Sequence, residues 1–340
     1  MLAVTCWASS DAFASRARLL VMGAGDAGLL LDGGGSGGSM VVDDAYNMFY
    51  NPSYVNDYQD WAIIEKSNAF SGGTNNAQGG FATSMMNWNM AFFMNRTAAV
   101  QHMTSANKNN MKPFDFMIGS SFNKVKWGLG LTYGSFSGAN TGVDTDLDVK
   151  LGAQFSGFEP FGSYRVVGND RTSGSDIVNK KYMLGFRYHW GEWVPYAAWT
   201  RSKTDNKTTT VNDVVNSNFG VGVARNMMVA EGVKANYGFG FWRKMKAADQ
   251  NVIPIDVSVE GNVNSWMTLR GGLSYRLMDR SEGQTQTDAT TGRMGAGFHF
   301  GKLTMDWAVG TGSTGAGSLD AATFGFDNSF FTAASVAYNW

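Results

Sequence analysis

The chain ends Phe330-Phe331-Thr332-Ala333-Ala334-Ser335-Val336-Ala337-Tyr338-Asn339-Trp340, and the alternation within this stretch decides the fold. Phe330, Thr332, Ala334, Val336, Tyr338 and Trp340 share one parity, while Phe331, Ala333, Ser335, Ala337 and Asn339 share the other. Successive side chains of a strand point to opposite faces, so an apolar, aromatic-tipped face stands back to back with a face of small residues. An edge strand of a water-soluble sheet is the bland alternative. Recurrence of the pattern upstream argues against it.

Thr145, Leu147, Val149, Leu151, Ala153 and Phe155 alternate with Asp144, Asp146, Asp148, Lys150, Gly152 and Gln154. Met267, Leu269, Leu273, Tyr275 and Leu277 alternate with Thr268, Arg270, Gly272, Ser274 and Arg276. Tyr182, Leu184, Phe186 and Tyr188 oppose Lys181, Gly185, Arg187 and His189, and Tyr237, Phe239 and Phe241 oppose Lys234, Asn236, Gly238 and Gly240. So many charged and glycine residues cannot fill an interior at normal packing density, so that face lines water and the apolar face meets lipid. Tight connections fall near Met86 to Trp88, Asn123 to Val125, Ser156 to Phe158, Gly191-Glu192, Asn226 to Val229, Asn262 to Asn264 and Gly301-Lys302. The spacing predicts an all-β, antiparallel, up-and-down transmembrane barrel over residues 58–340 with sixteen strands. Fourteen is the alternative, because Phe81 to Arg96 is the least regular pair. Trp88, Trp127, Trp190, Trp193, Trp266 and Trp340 lie at the tight turns or the chain end, where an interfacial girdle would place them. The tight turns then face the periplasm. Longer segments near residues 99–112, 203–213, 278–289 and 311–328 become outer loops.

Composition agrees. The chain of 340 residues has Gly 43, Pro 5, 14% aromatic and only 16% charged residues, the profile of apolar residues spread over alternate positions. A net charge of −1 argues against a nucleic-acid partner. With Cys6 as the single cysteine, no internal disulfide can form. Gly23-Ala24-Gly25-Asp26-Ala27-Gly28 fits a dinucleotide-binding fingerprint, but Leu29-Leu30-Leu31 runs into Asp32-Gly33-Gly34-Gly35 where a helix must begin. Residues 1–14 end in Ala12-Phe13-Ala14 before Ser15, which reads as the end of a signal peptide whose basic start lies upstream of Met1.

Two resemblances sharpen this. Trp340, with Tyr338 two residues before it, resembles the C-terminal assembly signal of Gram-negative outer-membrane β-barrels, although Ser335 stands where that family often has Gly. The resemblance implies a place in the outer membrane and partners in its lipid, its lipopolysaccharide and the barrel-assembly machinery; a homo-oligomer stays open. Asp43-Asp44-Ala45-Tyr46-Asn47-Met48-Phe49-Tyr50-Asn51-Pro52, after a Gly-rich run, resembles the N-terminal segment of long-chain fatty-acid transporter barrels, which packs inside the lumen. Those barrels typically continue with Ala where this chain has Ser53. Residues 15–57 are therefore expected to form a lumen plug through Asp43, Asp44, Asn47, Phe49, Asn51 and Pro52. Plain turn chemistry at Asn51-Pro52 is the alternative reading.

Little points to an enzyme. Of the three histidines, His102 falls in a loop and His189 and His299 have inward parity without a nucleophile elbow; no cluster has metal-ligand spacing and no cofactor is expected. What remains is a lining. Asp115, Asp144, Asp146 and Asp148 fall on the fourth to sixth strands, and Lys181, Arg187, Lys234, Arg270, Arg276 and Arg293 on the eighth to fourteenth. Acidic and basic walls set across a lumen resemble general porins, which implies passive diffusion of small polar solutes. The third loop, about Gly138 to Gly142, is too short to narrow the channel as in porins. That leaves Met40 to Asp57 to set the bore, and keeps a transporter of hydrophobic substrates as the second reading.

Overall fold

The computed structural model describes residues 15–22, 37–69, 77–96, 111–137, 143–171, 176–207, 214–245, 249–281, 290–311 and 330–340. A short helix, α1 (Arg16–Met22), and two 3-10 turns, Ala45–Phe49 and Pro52–Asn56, precede the strands. These are β1 (Trp61–Ala69), β2 (Gln78–Met85), β3 (Trp88–Met94), β4 (Phe114–Phe122), β5 (Val125–Ser137), β6 (Val143–Gln154), β7 (Phe158–Asp170) and β8 (Ile177–Tyr188). The second half has β9 (Trp193–Asn206), β10 (Val214–Ala230), β11 (Val233–Met245), β12 (Gln250–Asn264), β13 (Met267–Ser281), β14 (Thr290–Phe300), β15 (Leu303–Thr311) and β16 (Phe330–Asn339). Each strand pairs antiparallel with the next, and β1 pairs with β16, so the sheet closes with sixteen strands. No helix among the described residues is long and apolar enough to cross a membrane; the crossing is made by strands.

The closing strand has the orientation its parity requires. Val336 and Tyr338 are exposed on the outer wall while Ala333, Ser335 and Ala337 are buried inside. Elsewhere Ile64, Leu151 and Leu184 stand 71%, 61% and 60% exposed on the outside, whereas Asp115, Asp146 and Arg187 are wholly buried on the inside. A surface with its large apolar groups outward and its charges inward is stable only when the outer medium is hydrocarbon. Trp88 packs edge-on against Trp127 at 5.5 Å, Trp190 is bridged to Trp193, and Trp266 stacks on Phe298. The girdle thus lies along the tight-turn rim.

Two turns fall later than the sequence pattern suggests. β10 runs on through Asn226 to Ala230, and the chain reverses at Glu231-Gly232, because a register shift between Met228 and Ala230 absorbs a residue and Gly232 takes φ +69°. Likewise β12 continues through Asn262 to Asn264 before turning at Ser265-Trp266. The expected leader at residues 1–14, the third loop at residues 138–142, and most of the longer outer connections lie outside the described residues.

The seam between β1 and β16 ends where Trp340 N–H donates to the Asp60 carbonyl at 3.1 Å, just past the Trp61–Asn339 pair. Deleting Trp340 removes that bond and the last interfacial ring. The deletion is expected to lower the fraction of protein that runs as a compact, heat-modifiable species, measured by electrophoresis with and without boiling.

Candidate functional site

Sixteen strands enclose more space than their inward side chains fill. The structure fills much of it with the chain's own N-terminal segment. Local chemistry shapes that segment first. Asp44 caps the Ala45–Phe49 turn by accepting from Tyr46 N–H at 3.0 Å, and Asn51 caps Pro52–Asn56 by accepting from Ser53 N–H at 3.2 Å, with Pro52 at the first position. Asn47 ties the preceding strand of chain down, accepting from Ser39 N–H at 2.8 Å and donating to the Val42 carbonyl at 3.0 Å. Turn chemistry and enclosure are therefore both present.

Apolar faces of this segment are buried against the wall. Tyr46, Phe49 and Phe93 form an edge-to-face triad with centroids 4.9–6.1 Å apart, and Trp61 adds a further edge contact to Phe93 at 5.7 Å. Met40 and Tyr50 meet Phe161, Met183, Tyr196, Trp242 and Val252 on the far wall. The polar turn at Asn51-Pro52-Ser53 approaches β5 and β6 backbone to backbone. A Cβ on Gly152 would come within 1.8 Å of Asn51 Oδ1, and one on Gly128 within 2.3 Å of the Pro52 carbonyl, so only glycine fits at either place. On the other side α1 presses Val21 O to where a Cβ of Gly272 would sit.

Ionic groups lock the segment in place. Arg187 donates to Tyr54 Oη at 2.6 Å, Tyr50 Oη at 3.2 Å and Asp43 Oδ1 at 2.7 Å, and lies 3.4 Å from Glu159. Tyr54 in turn donates to Glu159 at 2.8 Å, and His189 Nε2 stands 2.9 Å from the other oxygen of Glu159. Arg18 grips Glu260 with two donors at 2.9 and 3.1 Å and Asp44 with a third at 2.6 Å, while Arg270 bridges Glu260 to Asp306 at 2.5 Å each. Glu65 accepts from Arg16 N–H at 2.9 Å and from Gln78, which also reaches Tyr46 Oη. At the tight-turn mouth Asp57 meets Lys126 and Gln154, and Asn56 donates to the Trp127 carbonyl at 3.0 Å.

All ten candidate lining residues lie on the inward face of their strands: Asp115 on β4, Asp144, Asp146 and Asp148 on β6, Lys181 and Arg187 on β8, Lys234 on β11, Arg270 and Arg276 on β13, and Arg293 on β14. The expected opposition of an acidic and a basic wall is not what they make. Asp115 is held by Arg96 at 2.6 and 2.8 Å, by Thr132, and by Lys150 at 3.5 Å; Asp146 and Asp148 share Arg165 at 2.8–3.0 Å. Coulomb attraction falls with distance, so acids neutralised from within two strands on the same wall leave little field across the lumen. Arg96 also lies 4.0 Å over the Phe49 ring, a cation–π contact that joins this cluster to the segment. Arg16, Arg18, Glu65, Arg96, Glu159, Arg165, Glu260 and Asp306 carry the locking. Sequence reading did not single them out for it, although strand parity marks Glu65, Arg165 and Asp306 as inward. His299 sits between Thr268 and Thr304, at 3.2 and 3.4 Å. No group of three His, Cys, Asp or Glu among the described residues is placed to hold a metal.

No protein-family model and no curated protein matches the chain. Solved structures match its fold. A bacterial polysaccharide outer membrane secretin superposes with a TM-score of 0.55 at 6% identity, over 83% of this chain and 98% of that one. CdiB from Acinetobacter baumannii gives 0.51 at 9% identity, over 83% of this chain but 60% of CdiB. A Pseudomonas aeruginosa FadL homologue gives 0.44 at 10% identity, over 94% and 99%. The shared feature is the fold of the outer-membrane β-barrel.

Two outcomes test the lock. Arg187→Met leaves Glu159 and Tyr54 buried without their cation, a loss of about 3–5 kcal/mol. Hydrogen exchange across residues 45–57 should quicken while the strands stay protected, and Arg187→Lys should restore part of the protection. The second concerns pH. Burial, the largest influence, pushes the Asp44 carboxyl up to about 7 from its ordinary 3.8; Arg18 opposes this, and Glu260 and Asp306 add to it. A pKa raised on docking means that the docked segment binds more protons, so docking is fully favoured below the ordinary value and is weakened as pH rises through about 7. Protection of Ala45–Phe49, corrected for intrinsic exchange, should fall between pH about 4 and about 7 and level off above that, and Asp44→Asn should flatten the profile.

Proposed function

We propose that the protein is an outer-membrane channel for small polar solutes, closed at its tight-turn mouth by residues 38–57 and opened when that segment yields. The observation that carries this reading is the inward face itself. Asp115, Lys150, Arg165, Glu260, Arg270 and Asp306 are buried toward the lumen in hydrogen-bonded clusters, a lining suited to water and polar solutes once the segment is displaced. The outer-membrane location is supported by the outward apolar wall and by the outer-membrane barrels that share the fold.

A second reading draws on a different patch. Phe161, Met183, Tyr196, Trp242 and Val252 form one apolar cluster on the inner wall under Met40 and Tyr50, and such a surface suits the hydrophobic part of a substrate. Planar-bilayer recording separates the two. Removing Gly33 to Asp57 should raise single-channel conductance by about an order of magnitude if the segment fills the bore. Should that deletion misassemble, Arg187→Gln supplies the same test through more frequent openings. Unchanged conductance in correctly assembled barrels refutes the plugged channel, and tight binding of a fatty acid by a barrel that never conducts favours the second reading.

A further inference from the structure

We propose that the outer wall of the barrel carries a site for the phosphates of glycolipid headgroups, centred on Lys180, Arg201 and Lys203 at the rim away from the tight turns. The three share the outward face of β8 and β9. Leu184 and Phe186, of the same parity as Lys180, stand exposed on that face, and Met183 and Arg187, of the other parity, are buried inside. Across the two strands Lys180 is paired with Lys203 and Tyr182 with Arg201, so the three cations occupy one patch. Directly opposed like charges destabilise an antiparallel pair unless an anion stands between them. Lys203 has Asp205 at 2.9 Å. Lys180 and Arg201 have no ion-pair partner among the described residues.

Their height on the wall identifies the anion. Beside them Tyr182, the cross-strand partner of Arg201, packs on Trp199 with centroids 5.3 Å apart, and Trp199 Nε1 donates to Ser217 Oγ at 3.0 Å. These are amphipathic rings of the kind that mark a membrane interface, and Trp199 is flanked across the strands by Leu184 and Phe219 on the apolar wall. At about 3.4 Å per residue along a strand tilted about 40°, Arg201 and Lys203 stand roughly 5 and 10 Å above Trp199, at headgroup depth. They project from the wall toward lipid, not into the lumen. Around the same rim Arg243, held by Asp249 at 2.6 Å, faces Phe219 and Asn251, and Asn251 faces Arg280, so a band of cations continues onto β11 and β13.

At the opposite rim outward Arg225 is satisfied within the protein, 2.9 Å from Glu192 and 5.3 Å over the Trp193 ring, whereas Lys180 and Arg201 have no such partner among the described residues. With a net charge of −1 for the whole chain, the band is not a by-product of general basicity. The patch of Lys180, Arg201 and Lys203 lies at the rim of the long connections. With the long connections outward this rim meets the outer leaflet, whose lipopolysaccharide carries phosphates on a glycolipid base. This inference rests on the barrel and its orientation, not on what passes through it.

Native mass spectrometry of the detergent-purified barrel with diphosphoryl lipid A, its dephosphorylated form and phosphatidylglycerol, each alone, tests the site. Wild type should retain diphosphoryl lipid A best. The variant Lys180→Gln, Arg201→Gln, Lys203→Gln should lose it at least about tenfold, with heat-modifiability unchanged, while Arg225→Gln should bind as wild type does. If the triple variant does not fold, Lys180→Gln and Arg201→Gln singly should each show a several-fold loss. Equal retention by wild type and variant overturns the proposal. So does equal retention of the dephosphorylated lipid or of phosphatidylglycerol, and so does displacement of lipid A by an equal concentration of inorganic phosphate, which would mark a free-anion site.

Discussion

A sheet that closes on itself with sixteen strands encloses a volume its own side chains cannot fill, and the remainder of the molecule answers that constraint. Left to water, the space would be an open pore. Here α1 and residues 38–57 occupy it, which exchanges solvent for packing but takes polar backbone and charged groups out of water. Each such group then needs a partner, because an unpaired buried charge costs several kcal/mol. The capped 3-10 turns satisfy the backbone locally, and arginines satisfy the carboxylates. Arg18 and Arg187 suit this work because a planar guanidinium can serve two or three acceptors at once.

Pairing at short range also decides what the lumen is not. Arg96, Lys150 and Arg165 stand beside Asp115, Asp146 and Asp148 from within two strands on the same wall, so these acids are discharged where they stand. The charges hold the segment and stiffen the wall; they do not set up a field across it. On the proposed channel reading, selectivity would therefore depend on which groups the segment leaves uncovered.

The barrel was legible because its rule is local. Alternation at period two in Thr145 to Phe155 or Met267 to Leu277 needs no knowledge of distant residues, and the inward facing of Asp115, Arg187 or Arg276 follows from it directly. Turn positions were less legible where a bulge intervened: Asn226 to Val229 looks like a connection by composition, yet pairs in β10 up to Ala230. The Asp43 to Pro52 stretch stood out by its lack of alternation. Its partners did not, because Glu260, itself joined to Arg270 and Asp306, meets Arg18 only after more than two hundred residues of chain have closed the ring. The cradle glycines were equally silent. A glycine in a strand reads as weak propensity, and nothing in sequence says that Asn51 will lie against Gly152.

The short link from Asp57 to Asp60 fixes one more property. It joins the enclosed segment to β1 at the same mouth where Trp340 completes the seam, and Asp60 holds φ +60° while its carboxylate receives Ser84 N–H at 3.2 Å. A body moored at one opening by so little chain can swing out through that opening but cannot pass through the far one. On the proposed channel reading, the stopper retreats toward the side of the tight turns: a solute entering from the long-connection side would push it along that path, and a solute from the other side would press it home.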